Sequence, residues 1–231
     1  IRDRMVTEEE RQWMWSEYAP EPRMRINLGI RRRLAPLLDN DKRKILLANA
    51  LLYSLPGAPI IYYGDEIGMG DNIWLFDRNG VRTPMQWDAS INAGFSDAPP
   101  EKLFAPVIDS QKFSYKEVNV RKEKDDPDSL LNKMKHLIKV RKTNPIFALG
   151  EYEFLAKDQP ECLVILRKYQ DSYLLCAFNL TQTAQNLAVD LSKFKGSKLT
   201  EIFSNQAYGA IQSDMTTIKL SPFDFKWLSI G

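Results

Sequence analysis

The spacing of apolar residues changes character three times along this chain, and each change marks a different kind of structure. Thr7-Glu8-Glu9-Glu10 is written like a helix start, with Thr7 as N-cap and Glu10, three residues on, completing a capping box. That helix carries Trp13, Met14 and Tyr18 before Pro20 and Pro22 end it. The basic run from Arg23 to Leu38 is interrupted by Gly29 and Pro36 and reads as a loop holding one short helix. Asp41 or Asn40 then caps a helix to about Leu55, with Ile45, Leu46, Leu47, Ala50, Leu51, Tyr53 and Leu55 set nearly all round it. Such a helix is expected to be buried. Pro56-Gly57 stops it, and the unbroken apolar run Ala58 to Tyr63 predicts a buried parallel strand that delivers Gly64-Asp65-Glu66 to the open end of a sheet.

From Gly64 to about Asp128 the periodicity fails, and Gly, Pro, Asn and Asp accumulate. A structureless loop of that length in a compact domain usually works as a lid. Ser129 restarts a helix over 129–143, with Leu130, Met134, Leu137, Ile138 and Val140 on one face and lysines and Arg141 on the other, ended by Asn144-Pro145. Beyond Pro145 come seven short strand-like runs: 151–155, 162–169, 173–179, 186–191, 199–203, 217–220 and 225–230. Turns separate them at the spacing of an antiparallel sandwich. The fold class is therefore α/β followed by all-β. Residues 1–146 are expected to be the C-terminal part of a (β/α)₈ TIM barrel, with its last strand, long active-site loop and last helix, and residues 147–231 a β-sandwich.

Composition narrows the picture. With 32 basic residues against 30 acidic, a net charge of +2 implies neither nucleic acid nor a membrane surface as a partner. A hydrophobic content of 44% suits a substantial core. No apolar run approaches the roughly 18–20 residues of a membrane helix. Without a starting Met or a signal-peptide layout, Ile1-Arg2-Asp3-Arg4 looks like the edge of a piece of something longer. Cys162 and Cys176 both sit in apolar runs and read as buried free thiols of a cytosolic protein rather than a disulfide.

Several residues are candidates for chemistry. Asp65 and Glu66, at the C-terminal end of a barrel strand, sit where catalytic groups live. Adjacent strand residues point opposite ways, so the plainer reading is that they bond loop backbone and hold the barrel mouth. Arg78 and Arg82, in Asp77-Arg78-Asn79-Gly80-Val81-Arg82, are the substrate-binding candidates, because a rigid guanidinium fork matches paired sugar hydroxyls; a loop ion pair is the alternative for each. Trp87 and Phe95 suit stacking on a sugar or folding the loop onto the barrel. The cluster Arg23, Arg25, Arg31, Arg32 and Arg33 reads as a solvated or salt-bridged face rather than a phosphate site. His136, the only histidine, has no partner in metal-ligand spacing and reads as structural. Ser-His-Asp, P-loop, dinucleotide and zinc signatures do not appear.

Gly57 to Met69 and Asp77 to Trp87 resemble the end of the catalytic barrel in the α-amylase superfamily, glycoside hydrolase family 13. Met69-Gly70-Asp71-Asn72-Ile73-Trp74 and Arg23 to Arg33 are similar to the members that interconvert maltose and trehalose. The resemblance implies a retaining double displacement by two carboxyl groups about 5–5.5 Å apart. In the family these are an Asp after the fourth strand and a Glu after the fifth, with a further Asp in an Asn-His-Asp sequence after the seventh. This chain contains no Asn-His-Asp, and Met5 to Arg11 resembles the stretch just beyond that motif, so no catalytic residue is expected in this segment. Arg78 maps onto the arginine that reaches the 4-hydroxyl of the innermost glucose, while Gly64-Asp65-Glu66 is a supporting feature. Ile1 to Arg4 depart from the pattern, and Phe76 stands where a glycine is expected.

The resemblance thus implies an α-glucosyl-transferring isomerase of maltose and trehalose, cytoplasmic, with a disaccharide as partner and compatible with a homo-oligomer. The loop Gly68 to Asp97 would exclude water. No cofactor or metal is implied in this segment, and a calcium site would belong to the rest of the parent. Alternatives are an oligo-1,6-glucosidase or α-glucosidase, a non-catalytic barrel relative serving as scaffold, and a separate carbohydrate-binding role for the sandwich, whose Tyr152, Phe154, Tyr169, Tyr173 and Phe178 read more simply as core. The polypeptide alone is expected to be inert. Its sandwich should be the stable part, and its barrel remnant packed, rearranged or covered by a second copy.

Overall fold

The capping box forms as written: the Thr7 hydroxyl accepts from the Glu10 N–H at 3.2 Å, and Glu10 accepts from the Thr7 N–H at 2.6 Å. It opens α1 (Glu8–Tyr18). The computed structural model describes residues 6–110 and 112–231. Ile1 to Arg4, which depart from the family pattern, and Met5 lie outside the described residues. The chain divides into two units: Ile1–Ile45 with Ile61–Asn132, and Leu46–Ile60 with Lys133–Gly231.

In the first unit the basic run folds into a two-strand hairpin, β1 (Arg25–Ile26) against β2 (Gly29–Ile30), and the expected short helix, α2 (Leu34–Leu37). Asn27 turns the hairpin with φ 53°, a left-handed conformation that asparagine tolerates. Asp41 caps α3 (Lys42–Ser54) by accepting from the Arg43 N–H at 2.9 Å. Ile45, Leu47, Ala50 and Tyr53 of α3 are buried, but Leu52 is exposed, so the helix is not covered all round.

Two expectations need correction. Ala58 to Tyr63 forms no strand in this chain: no described segment pairs with it, and Ile60 is 85% exposed. A strand exists only through a hydrogen-bonded neighbour, however apolar its sequence. The long loop is not structureless either. It holds 3-10 turns at Asp65–Ile67, Asp77–Val81, Ile91–Gly94 and Pro100–Lys102, and the helix α4 (Val120–Lys124). Ile67, Met69, Met85 and Leu131 form a small apolar cluster beneath it. The side-chain amide of Gln86, fully buried, donates to the carbonyls of Phe113 at 3.2 Å and Val118 at 2.5 Å, and its backbone carbonyl accepts from Val120 at 3.0 Å. Buried Asn92 donates to Ser96 at 2.8 Å and Ala98 at 2.6 Å. Single amides thus supply the order that a ladder would supply elsewhere.

The second unit contains most of α5 (Leu130–Thr143), then α6 (Ile146–Leu149) and eight strands. The strands are β3 (Glu151–Leu155), β4 (Cys162–Tyr169), β5 (Ser172–Asn179), β6 (Gln185–Asp190), β7 (Lys198–Glu201), β8 (Gln206–Ala210), β9 (Met215–Leu220) and β10 (Phe225–Ile230). A six-stranded antiparallel sheet runs β3-β4-β5-β10-β7-β8, and β6 pairs with β9 as a second sheet. Seven of these strands match the expected runs. β8 escaped them because all five of its residues are exposed and show no inward-outward alternation.

Val164, Leu166, Leu175, Leu187, Val189, Ile218, Leu220 and Leu228 fill the core of the sandwich. Phe178, Phe225, Trp227 and Phe147 form a second apolar cluster, with Phe147 and Trp227 rings 4.6 Å apart and the Trp227 N–H donating to the Ser54 hydroxyl at 2.7 Å. Phe178 is core as expected, but Tyr152 and Phe154 are exposed on the edge strand β3, stacked edge to face. The His136 Nε2–H donates to the Phe203 carbonyl at 2.7 Å, in keeping with a structural role. Both cysteines are free; Cys176 is buried, which pushes its thiol up to about 12, while Cys162 is half-buried.

Candidate functional site

Arg78 stands on the turn Asp77–Val81 with its guanidinium half-exposed, 3.6 Å from the Asp77 carboxylate. It borders an open depression of about 520 Å³ with Arg23, Arg25, Asn27, Phe76 and Asp77. A pair between two exposed neighbours holds little energy, so Arg78 keeps its donors available. Phe76 sits at φ −69°, an ordinary conformation that needs no glycine; the left-handed residue is Asp77, at φ 50°. Gly80 is required by close approach, since a Cβ there would lie 2.2 Å from the Asn72 carbonyl oxygen. Trp74, exposed beside this turn, carries the Arg23 guanidinium 5.1 Å over its ring.

The structure does not bring Arg82 to the same place. Arg82 borders a separate apolar depression of about 300 Å³ with Tyr63, Thr83, Phe95 and Phe104. Among the described residues its side chain makes no hydrogen bond or ion pair. Trp87 and Phe95 are both exposed, and neither is folded into a core.

The basic cluster is a solvated or salt-bridged face only in part: Arg23 is exposed, as charge alone suggests, but two of its arginines turn inward. Arg31 is 8% and Arg33 2% exposed. Arg31 donates to the carbonyls of Leu75 at 2.6 Å, Ile73 at 2.7 Å and Arg23 at 3.1 Å, and also to that of Asp77. Arg32 and Arg33 fit the salt-bridge half of the expectation, Arg32 meeting Asp71 at 2.8 Å and Arg33 meeting Asp65 at 3.5 Å; the Asp71 carboxylate also accepts from the Arg33 N–H at 2.9 Å. Arg33 donates to the Tyr63 carbonyl at 2.5 Å and stacks on the rings of Tyr62 and Tyr63 at 5.0 and 4.8 Å. A guanidinium supplies five fixed donors and can be buried on carbonyls and ring faces without a carboxylate. Nothing in a run of basic residues reports which arginines turn inward.

Asp65 lies 3.5 Å from the Arg33 guanidinium, a side-chain contact rather than the bond to loop backbone that the plainer reading expects. Burial raises its carboxyl above the ordinary aspartate range, against the lowering influence of Arg33. The Glu66 Oε2 atom and the Thr83 hydroxyl are buried without a hydrogen-bond partner. No group of three or more His, Cys, Asp or Glu among the described residues is placed to hold a metal ion. No helix among them is long and apolar enough to cross a membrane.

Comparison with known proteins bears on this arrangement. The description "Alpha amylase, catalytic domain" matches residues 30–150, and "Maltogenic Amylase, C-terminal domain" matches residues 152–227. The trehalose synthase of a Pimelobacter species is 45% identical over 98% of this chain and 40% of its own length. The trehalose synthase/amylase of Mycobacterium tuberculosis is 43% identical over 98% of this chain and 38% of its own length. The oligo-1,6-glucosidase of Heyndrickxia coagulans is 32% identical over 57% of this chain. The chain thus spans about two fifths of the length of the trehalose synthases it matches. Among solved structures, the trehalose-6-phosphate hydrolase of Bacillus licheniformis has a TM-score of 0.69 at 23% identity, covering 87% of this chain and 41% of that one. The trehalulose synthase of Pseudomonas mesoacidophila also scores 0.69, at 20% identity, over 88% and 42%. These likenesses identify the fold as part of the α-amylase catalytic domain followed by its C-terminal domain. With the catalytic-domain match running over more than half of its residues, the chain belongs to the α-amylase family.

Proposed function

We propose that the parent protein is an α-glucosyl-transferring isomerase that interconverts maltose and trehalose. The observation that carries this reading is likeness along nearly the whole chain, 98% of it, to trehalose synthases, where the glucosidase likeness covers 57%. The site's chemistry agrees. An arginine with free planar donors, held on a short turn among exposed aromatics, suits sugar hydroxyls presented in pairs. Arg78 takes the binding role at the innermost glucose, and Arg82, in its own apolar depression, a contact further out. A carboxylate elsewhere in the parent attacks the anomeric carbon of maltose and holds glucose covalently. The freed glucose turns and attacks back through its anomeric hydroxyl, giving the 1,1 linkage.

The test is incubation of the full-length protein with maltose and separation of the products. Trehalose as the main product is expected. Glucose alone would replace this reading by an oligo-1,6-glucosidase or α-glucosidase. The 231-residue chain alone should release neither sugar, because Arg78 supplies binding and no covalent chemistry.

A further inference from the structure

The Arg31 guanidinium is buried between two loop segments and meets no carboxylate among the described residues. Its Nε donates to the Arg23 carbonyl at 3.1 Å, Nη1 to the Leu75 carbonyl at 2.6 Å and to that of Asp77, and Nη2 to the Ile73 carbonyl at 2.7 Å and again to Arg23. Carbonyls 73, 75 and 77 are alternate residues of one turn, all gathered by a single planar fork. A lysine, with three donors on one rotating nitrogen, cannot hold that set. The Asp77 carbonyl shares its peptide plane with the Arg78 nitrogen. Asp77 is left-handed at φ 50°, a conformation that aspartate adopts more readily than most residues and that the bond from Arg31 to its carbonyl holds in place. At the other end of the turn the Asn72 N–H donates to the Gly80 carbonyl at 2.9 Å. Backbone closes one end of the turn, and Arg31 closes the end next to Arg78.

We propose that Arg31 is the positioning residue of this site: it fixes the peptide plane before Arg78 and so aims the Arg78 fork at its pair of sugar hydroxyls. It touches no substrate, and the inference rests on the binding role given to Arg78 above. Without Arg31 the carbonyls of Arg23, Ile73, Leu75 and Asp77 lose its donors, Asp77 is free to leave the left-handed region, and Arg78 samples directions that do not bind.

The experiment uses the full-length enzyme with maltose. Arg78→Ala should raise KM by about 10–100-fold, the range of a charged hydrogen bond. Arg31→Met should raise KM by about tenfold with kcat held within about threefold, and by no more than about twofold when introduced into Arg78→Ala. Added guanidinium at low millimolar concentration should bring the KM of Arg31→Ala back towards that of the parent, which a general loss of stability would not allow. If Arg31→Met lowers the melting temperature and leaves KM unchanged, Arg31 is only a brace and the proposal is overturned. If its full effect persists in the Arg78→Ala background, it acts elsewhere and the proposal is equally overturned; in both cases the reading of Arg78 stands. An unchanged KM in Arg78→Ala removes that reading and the proposal together. Should Arg31→Met fail to fold, Arg31→Lys carries the same comparison, with a smaller rise in KM expected and the same outcomes deciding.

Discussion

The unit that carries the six-stranded sheet seals Val164, Leu175, Leu187, Ile218 and Leu228 in an apolar core and adds to it the buried Arg167 and Asn179, bonded to backbone carbonyls, whereas the unit that carries the loops sets only a small apolar cluster beside Arg31, Arg33, Gln86 and Asn92, buried on backbone carbonyls. In the first, order is spread over ladders of backbone bonds and many apolar contacts. In the second, it is concentrated in a few side chains, each satisfying carbonyls that no ladder reaches. A spread core tolerates surface change and punishes loss of volume. A concentrated network gives way at single polar residues, and those residues shape the candidate site. Shape without regular secondary structure is what a binding loop needs, and polar clasps provide it.

The sharpest way to break this comparison is through Trp227, fully buried in the sheet unit with its N–H on Ser54. Trp227→Ala should cost about 3–5 kcal/mol, from lost burial, the cavity left behind and the lost bond to Ser54, whose hydroxyl keeps only its own bond to the Ala50 carbonyl. Urea unfolding of the chain measures it. A loss below about 1 kcal/mol would mean that the aromatic cluster is not what stabilises this unit.

Next in size is Gln86→Leu. It roughly keeps volume but replaces the amide by an apolar group and strips donors from the carbonyls of Phe113 and Val118, at a cost of about 1–3 kcal/mol. The loss should be local. Amide exchange at Val120 and Arg121, whose N–H groups donate to Gln86 and Trp87, should accelerate, while the amides of β5 and β10 stay protected. Uniform acceleration in both units would erase the distinction between them.

The same distinction explains what the amino-acid sequence discloses. Leu187, Val189 and Ile218 alternate inward, and Leu130, Met134 and Leu137 recur at helical spacing, so β6, β9 and α5 are legible from residue pattern alone. β8 is not, because an edge strand with both faces exposed carries no pattern. Ala58 to Tyr63 misleads in the opposite sense. Its apolar run speaks for the environment of a paired strand, and pairing belongs to the partner segment as much as to this one. At the site, the candidacy of Arg78 comes from its motif, and the structure adds that its guanidinium is half-exposed beside Asp77. The inward turn of Arg31 and Arg33 is not, because charge alone does not say whether a guanidinium meets water or carbonyl oxygen.

Gly80→Ala probes the backbone end of the same turn. A Cβ there would meet the Asn72 carbonyl oxygen at 2.2 Å, so the turn must open, at a local cost of about 1–3 kcal/mol. Global unfolding of the sheet unit should not shift. The fluorescence of Trp74, exposed on that turn, should change in the folded chain. An unchanged Trp74 signal would show that the turn absorbs the methyl without opening, and that its shape is less determined than the Asn72 to Gly80 bond suggests.

The smallest effect expected is a pH dependence at Asp65. Burial raises its folded-state pKa above the ordinary 3.8, while Arg33 pulls the other way and Glu66 adds to the rise. A raised carboxyl binds its proton more tightly folded than unfolded. The stability it contributes is therefore fully present below the unfolded pKa and is lost as pH rises through the folded one. Asp65→Asn removes this titration, so the stability of the parent chain relative to the variant should fall in the window just above the ordinary aspartate value of 3.8, as pH rises through the raised folded-state pKa. Urea midpoints of both at several pH values in that window give the slope. Arg33 already donates to the Tyr63 carbonyl at 2.5 Å and reaches Asp65 only at 3.5 Å, so the carbonyl and not the carboxylate is its main partner. A slope of the opposite sign would mean that the ion pair outweighs the burial. The loop unit would then be held at this point by charge, and the contrast with the sheet unit would be one of electrostatics instead of carbonyl satisfaction.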